Sequence, residues 1–341
     1  MKIVSQIVRY FSWKPGGYLP SLELLETLRG VGSKHDVTSA VSGSKSGHLL
    51  TVVEVNDGKV IGDLRMVATA GDVVVGGLQS LFGAANAQNH YLLRRRRFRM
   101  QKYRHGTALL LGTANGDNYY HWLLDCVPRW KMLQAANWRD YDYVLLDSKP
   151  SPFQNELLDL LKVPDGKRLR CSKNFVHQFE RLVVPAMPFP VEEVAPWACS
   201  WVRSLFPSEK IAGPEKIYLH RGDGRRRLVN ETELETALTA HGFISARPGQ
   251  LSVAEQAKLL SSARCVVAPH GAALTNLIFA PPGALLIELF HPQHKNRCYV
   301  NLAKACGHRY AGLDGHPVER DGDGKLEYSI DVDAVVRLAE N

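Results

Sequence analysis

The sequence lacks most features that would place it outside ordinary globular proteins. No apolar run is long enough to cross a bilayer: the longest, Cys265 to Phe290, is interrupted by His270, Asn276, Pro281-Pro282 and Glu288. Met1 to Trp13 is too short and too polar for the core of a signal peptide, so the chain is expected to stay in the compartment where it is made. There is no low-complexity tract and no repeat of solenoid period. The six cysteines, Cys126, Cys171, Cys199, Cys265, Cys298 and Cys306, never fall in Cys-x-x-Cys spacing. Neither a zinc site nor a disulfide framework is suggested, and a reducing cytoplasm fits best.

What is present is a folded composition, 45% hydrophobic and 22% charged, with length for two α/β domains in 341 residues. The net charge of +8 is mostly local. One block is Arg94-Arg95-Arg96-Arg97 with Arg99 and Lys102; a second is Arg225-Arg226-Arg227. Such blocks suit anionic partners. The first reads either as a solvated surface segment or as peripheral contact with an anionic membrane. Nucleic acid is disfavoured, because no recognition motif or interleaved aromatic pattern accompanies the charge.

Along the chain, Leu49–Val55 and Val60–Val67 predict two strands, joined as a hairpin by Asn56-Asp57-Gly58. From Ala108 the pattern alternates: strand at Ala108–Leu111, helix at Tyr119–Ala136, strand at Tyr143–Leu146, helix at Gln154–Leu161, strand at Leu182–Val184. Alternation of this kind implies a mostly parallel sheet. Pro185, Pro188, Pro190 and Pro196 then cluster, which places a boundary between domains 1–190 and 191–341. Lys216–His220, Phe243–Ala246, Cys265–Ala268 and Leu285–Leu289 predict strands of a doubly wound, nucleotide-binding type of domain. Asn230 with Glu233, and Ser252 with Glu255, predict two capped helices, the first ended by Gly242.

Two segments carry chemistry. After the strand ending at Ala268 comes Pro269-His270-Gly271-Ala272-Ala273-Leu274-Thr275-Asn276. Small residues there let backbone N–H groups approach a phosphate at a helix N-terminus, with His270 at the mouth. A tight strand-to-helix connection with a satisfied histidine is the other reading. Glu288, inside Leu285–Phe290, is a carboxylate on a buried strand and suits a ribose diol, unless it faces water at an edge. Arg221 and Arg225 to Arg227 follow a strand end, where arginines chelate diphosphates, although a solvated loop is open for each. The other segment is Asn118-Tyr119-Tyr120-His121-Trp122-Leu123-Leu124-Asp125 with Pro128-Arg129. His121 and Asp125 are four apart and share a helix face, with Asn118 and Trp122 adjoining: a base, its orienting partner and a stacking surface. An ordinary amphipathic helix remains the alternative. Asp140-Tyr141-Asp142, Asp321-Gly322-Asp323 and Asp331-Val332-Asp333 precede strands or mark turns and caps, and no metal is expected at any of them.

In their order, these segments resemble glycosyltransferase family 61. The Asn118–Asp125 helix with Pro128-Arg129, then Arg221, Arg227 and Asn230-Glu231, then Gly242-Phe243 and Ser252 through Gln256 carry the likeness. His270 through Asn276 and Glu288 complete it. The resemblance implies a GT-B fold, two Rossmann-like domains facing across a cleft. It also implies a metal-independent, inverting transfer from a nucleotide diphosphate sugar, UDP for preference, with no cofactor. Arg221, Arg227, Asn230, His270, Gly271, Ala272, Ala273, Leu274, Thr275, Asn276 and Glu288 would hold the donor. Asp125 or His121 would be the base, and Asn118 and Trp122 would meet the acceptor. A glycan or lipid-linked glycan acceptor in surface polysaccharide synthesis, in a bacterial cytoplasm and possible peripheral contact with the inner membrane through Arg94 to Arg97, completes the expectation. A non-catalytic glycan- or nucleotide-binding protein on the same fold is the alternative.

Overall fold

In the first half of the chain, runs of leucine and β-branched residues make four strands paired in parallel. They are β1 (Arg104–Leu110), β2 (Tyr143–Leu146), β3 (Arg168–Arg170) and β4 (Phe175–Pro185). The structure is a computed structural model that describes residues 10–12, 17–19, 34–36, 50–62, 66–75, 78, 97–100, 103–173, 175–189, 193–207, 213–221, 226–318 and 326–340. The chain divides into two units, Met1–Val191 and Glu192–Asn341.

In the first unit the parallel strands lie in the order β3-β2-β1-β4, so the order reverses beside β1. A helix over residues 119–135, α1, leads from β1 to β2, and α2 (Pro152–Leu160) leads on to β3. Val53, Val55, Leu110, Leu145, Phe179 and Leu182 share one core. The parallel strands are only part of this unit's sheet. Among the described residues it has twelve strands and is mixed, whereas a doubly wound domain was expected. Part of the difference comes from the segment read as a hairpin; Tyr10–Ser12, Gly17–Leu19, Lys34–Asp36 and Arg97–Met100 also join the sheet.

Asn56-Asp57-Gly58 makes no hairpin. Thr51–Asn56 and Lys59–Ile61 both pair antiparallel with β4 in one unbroken register, Asn56 opposite Arg181 and Lys59 opposite Gln178. Asp57 N–H donates to Glu180 O at 2.9 Å, and Gly58 O accepts from Phe179 N at 3.0 Å, so the ladder continues through the supposed turn. Asp57 takes a left-handed φ of 51°, which aspartate tolerates better than most residues. Gly58 is needed for space: a Cβ there would lie 2.6 Å from the Cβ of Leu182 and 2.9 Å from Val55 O. Met66–Ala68 and Val73–Val75 then extend the antiparallel side.

The second unit has the expected pattern. Five strands, β5 (Lys216–Leu219), β6 (Ile244–Ala246), β7 (Cys265–Pro269), β8 (Leu285–Phe290) and β9 (Arg309–Asp314), are all parallel in the order β6-β5-β7-β8-β9. The order reverses between β5 and β7, and in such sheets ligands bind beyond the C-terminal ends of the strands flanking that point. Every residue of β7 and β8 is buried. The helices are α3 (Pro196–Ser204), α4 (Glu231–Ala240), α5 (Val253–Leu260), α6 (Cys298–Cys306) and α7 (Val332–Glu340). Ser252 and Glu255 form the capping box of α5: Ser252 Oγ accepts from Glu255 N, and the Glu255 carboxylate accepts from Ser252 N. Asn230 caps nothing with its side chain. Its amide bonds the backbone of Ile330 in both directions, at 2.9 and 3.0 Å, because residues 230 and 330 meet in space. A small sheet of Arg226–Leu228, His316–Val318 and Leu326–Ser329 completes this unit. No described helix is long and apolar enough to cross a membrane.

Two stability predictions follow from the first unit. Gly58→Ala should lower its stability by about 2 kcal/mol through overpacking against Leu182, read as a reduced urea midpoint. An unchanged midpoint would mean that β4 yields at no cost. His177 on β4 is buried, with neither ring nitrogen hydrogen-bonded among the described residues. Burial, and then the charge of Arg104, lower its pKa to about 4. The unfolded chain therefore takes up this proton near pH 6.5 while the native state does not. Stability is unaffected above that pH and falls by about 3 kcal/mol between pH 6.5 and 4. Urea titrations of wild type and His177→Leu should diverge across that window; parallel curves would clear His177 of the effect.

Candidate functional site

In the first unit the chain leaves β1, turns through residues 111–118 and enters α1 at Asn118, whose Oδ1 accepts from Tyr120 N at 2.9 Å. After Tyr119–His121 the helix widens into a π turn over Trp122–Cys126, where Val127 N donates to Trp122 O, and returns to α over Val127–Ala135. Pro128 supplies the reason. It has no N–H, and in a regular α-helix its ring would strike the carbonyl four residues back. His121 Nδ1 lies 2.7 Å from Asp125 Oδ2. The histidine side chain is 21% exposed and the carboxylate 6%.

Buried polar groups hold this helix and its entry loop in place. Arg129 has no exposed surface and donates to Gly112 O at 3.2 Å and Leu78 O at 2.8 Å; burial lowers its pKa to about 10. Gln154 Nε2 donates to Gly116 O at 2.7 Å and to Asp147 Oδ2 at 2.6 Å. Trp122 is not the stacking surface expected of it: it is fully buried in the core. The aromatic ring beside His121 is Tyr120, edge-on at 5.3 Å, while Asn118 is exposed and occupied as the helix cap.

In the second unit the site forms where the strand order reverses. β5 runs into His220 and Arg221, and β7 into His270 and Gly271. A Cβ at Gly271 would lie 2.9 Å from Arg221 Nη1, so the guanidinium packs directly on the loop, which continues as a 3-10 helix over Ala272–Phe279. Arg221 Nε and Nη1 and Arg226 Nη1 are buried without a hydrogen-bond partner among the described residues. Burial lowers the pKa of both arginines, and Arg221 depresses Arg226 further. Two crowded cations with N–H groups unmet among the described residues have the chemistry to receive an anion.

His270 is buried, with Nδ1 bonded to Glu288; Phe290 stacks on it, and His294 and Tyr299 meet it edge-on. Glu288 has no exposed surface and also accepts from Tyr310 Oη at 2.8 Å. Glu288, expected to meet a ribose, is thus engaged within the protein by His270 and Tyr310. Leu274, Thr275 and Asn276 are buried, and Asn276 Nδ2 donates to Gln256 at 2.6 Å and Ala273 O at 3.0 Å, bracing the loop. Gly271, Ala272 and Ala273 keep partial exposure.

Arg227 does not join the cluster. Its side chain is 61% exposed and lies 3.6 Å from Glu327. Alternation along Arg226–Leu228 explains this, since Arg226 shares a face with buried Leu228 and Arg227 takes the other. That two-residue period was the signal by which Arg226 could have been singled out. Asn230 is engaged with Ile330 and Glu233 and offers no free donor face. Arg94, Arg95, Arg96 and Arg225 lie outside the described residues, as do Asp321, Gly322 and Asp323; Arg97 opens the strand Arg97–Met100. Asp142 accepts from Thr107 N at 2.8 Å, and Asp331 Oδ1 accepts from Ala334 N at 2.9 Å as a helix cap. Among the described residues no group of three or more His, Cys, Asp or Glu is placed to hold a metal ion.

Comparison with known proteins gives these two clusters a common frame. Residues 119–287, about half the chain, match the family model described as Glycosyltransferase 61. That span takes in His121, Asp125, Arg221, Arg226 and His270, and stops one residue short of Glu288. The EGF domain-specific O-linked N-acetylglucosamine transferase of Drosophila melanogaster is 30% identical over 148 residues, 39% of this chain and 28% of that protein. The protein of the same name from Gallus gallus is 30% identical over 97 residues, 27% of this chain and 18% of its own length. The chain thus spans less than a third of the length of these curated relatives.

The two arginines make an immediate prediction. Arg221→Gln or Arg226→Gln should weaken inorganic pyrophosphate binding tenfold or more, the loss expected for a charge-assisted hydrogen bond. Arg227→Gln should change it less than about twofold. Equal losses at 226 and 227 in a calorimetric titration would show that only net charge matters.

Proposed function

The chain belongs to glycosyltransferase family 61, and on that footing we propose that it transfers a sugar, with inversion, from a nucleoside diphosphate donor to a hydroxyl of a glycan acceptor. One observation carries the donor half: Arg221, packed on Gly271 where the strand order of the second unit reverses, and Arg226 beside it are half-buried with buried N–H groups unmet among the described residues. In this proposal the diphosphate lies across that pair. His270 Nε2, the loop N–H groups and the two guanidiniums stabilise the charge that builds on it as the glycosidic bond breaks. The arginines supply the counter-charge that a metal provides in other transferases. The GT-B arrangement, with the two units facing across a cleft, is part of the proposal.

The acceptor half is assigned to His121 and Asp125. As the acceptor oxygen bonds to the anomeric carbon, its proton passes to a base and the electron pair of the broken bond leaves with the diphosphate. The greater exposure of His121 supports it as the base, acting through Nε2, with Asp125 holding Nδ1–H and balancing the charge that forms. UDP is proposed as the carrier. N-acetylglucosamine is the first sugar to test, because the animal relatives are named for its transfer. A lipid-linked or other surface glycan, met in the cytoplasm at a membrane face, is the acceptor proposed.

His121→Ala and Asp125→Ala should each reduce UDP release from UDP-N-acetylglucosamine, in the presence of a glycan acceptor panel, by about a hundredfold or more. The UDP dissociation constant should change by less than about twofold, with magnesium or with EDTA. Near-native turnover in both variants would place the base elsewhere. UDP binding without turnover on any acceptor would favour a binding protein on the same fold.

A further inference from the structure

Glu288 is a charged group with no exposed surface on a central strand, and such a group persists only where donors surround it. It has two. One is His270 Nδ1. The other is the hydroxyl of Tyr310 at 2.8 Å, on the edge strand β9. Gly312 makes room for that hydroxyl: a Cβ at 312 would lie 3.1 Å from Tyr310 Oη and 3.2 Å from Phe290 Cε2. Burial, and then Glu288, push the Tyr310 pKa well above its ordinary value, so the hydroxyl keeps its proton and remains a donor throughout the working range.

We propose that Tyr310 is a positioning residue for the second unit's site: through Glu288 it governs whether His270 presents Nε2 as a bare acceptor or as a proton-bearing donor to a bound phosphate. The proposal rests on the donor reading above. With Nδ1–H held by Glu288, Nε2 is the nitrogen left to act. A tyrosine hydroxyl bonded to a carboxylate withdraws negative charge from it and weakens its hold on the imidazole proton. Tyr310 thereby tempers the hold of Glu288 on the His270 ring. Other titratable groups stand around the pair, among them Tyr328, raised by burial first and by Glu288 among lesser causes, and Asp314, a lesser cause of the Tyr310 shift. His294 and Tyr299 meet the ring edge-on, and Arg221 packs on the adjoining Gly271. Cys298 lies near Glu288, its thiol pushed up to about 12 by burial and then by Glu288, and Arg226 lies beside it.

The test is UDP binding by calorimetry from pH 5.5 to 8.5 in wild type, Tyr310→Phe and Glu288→Gln, each first checked for native thermal unfolding. UDP's own phosphate titration is common to all three and drops out of the comparison. Binding should weaken as pH rises and Nε2 loses its proton. In Tyr310→Phe the untempered carboxylate holds that proton longer, displacing the fall to higher pH by about half a unit or more. In Glu288→Gln the fall moves to lower pH. Displacements in opposite senses establish the chain of action. Superimposed profiles for wild type and Tyr310→Phe, or the same uniform loss in both variants at every pH, would reduce Tyr310 to packing and overturn the proposal. If UDP does not bind wild type at any pH, the donor reading fails instead. The His270 ring signals, followed by NMR across the same pH range without ligand, then carry the comparison, and coincident curves there overturn the proposal.

Discussion

The second unit is organised around a buried negative charge. Glu288 lies on β8 with no solvent contact, and a carboxylate in that position is tolerable only because His270 and Tyr310 both donate to it. Satisfying it ties three parallel strands together: His270 follows β7, Glu288 sits on β8 and Tyr310 near the start of β9. The ring that results is held from below by the carboxylate, on one face by Phe290 and at its edges by His294 and Tyr299. A histidine so confined has one nitrogen left for chemistry, and the adjoining Gly271 loop is fixed with it.

Beside this satisfied group stands an unsatisfied one. Arg221 and Arg226 are buried enough to lose water and crowded enough to repel, yet several of their N–H groups have no protein acceptor among the described residues. Native proteins seldom leave buried donors unmet without a reason. The contrast is between a carboxylate fully answered from within and a guanidinium pair whose donors stay open among the described residues. In the first unit the same division holds. Arg129 and Gln154 are spent on backbone carbonyls of the entry loop, while His121 keeps surface above the π turn.

Much of this was legible from local pattern. The strands of the second unit, the capping box of Ser252 and Glu255, and the glycine ending α4 were all readable because each depends on residues a few positions apart. So was the shared face of His121 and Asp125, since helical spacing of four survives a π turn well enough to leave a 2.7 Å contact. The errors have a common origin. Asn56-Asp57-Gly58 looked like a turn because both a turn and a close backbone approach call for the same small or left-handed residues; which applied was decided by Leu182, more than a hundred residues away. Trp122 looked like a platform because aromatic rings near a His-carboxylate pair often are, but the π turn made by Pro128 buries it. Asn230 looked like a cap until Ile330 took its amide.

From the sequence alone came the chemical inventory and its family: a His-Asp pair on one helix, a small-residue loop after a buried strand, arginines at a strand end and a carboxylate inside an apolar run. These are properties of short segments, where period and side-chain type suffice. Only the tertiary structure decided that Arg226 rather than Arg227 lies beside Arg221, that Glu288 turns inward to His270, and that Tyr310 shares it. Each of those depends on which face of a strand is buried and on which strand lies beside it, and those are set by contacts between residues far apart in the chain.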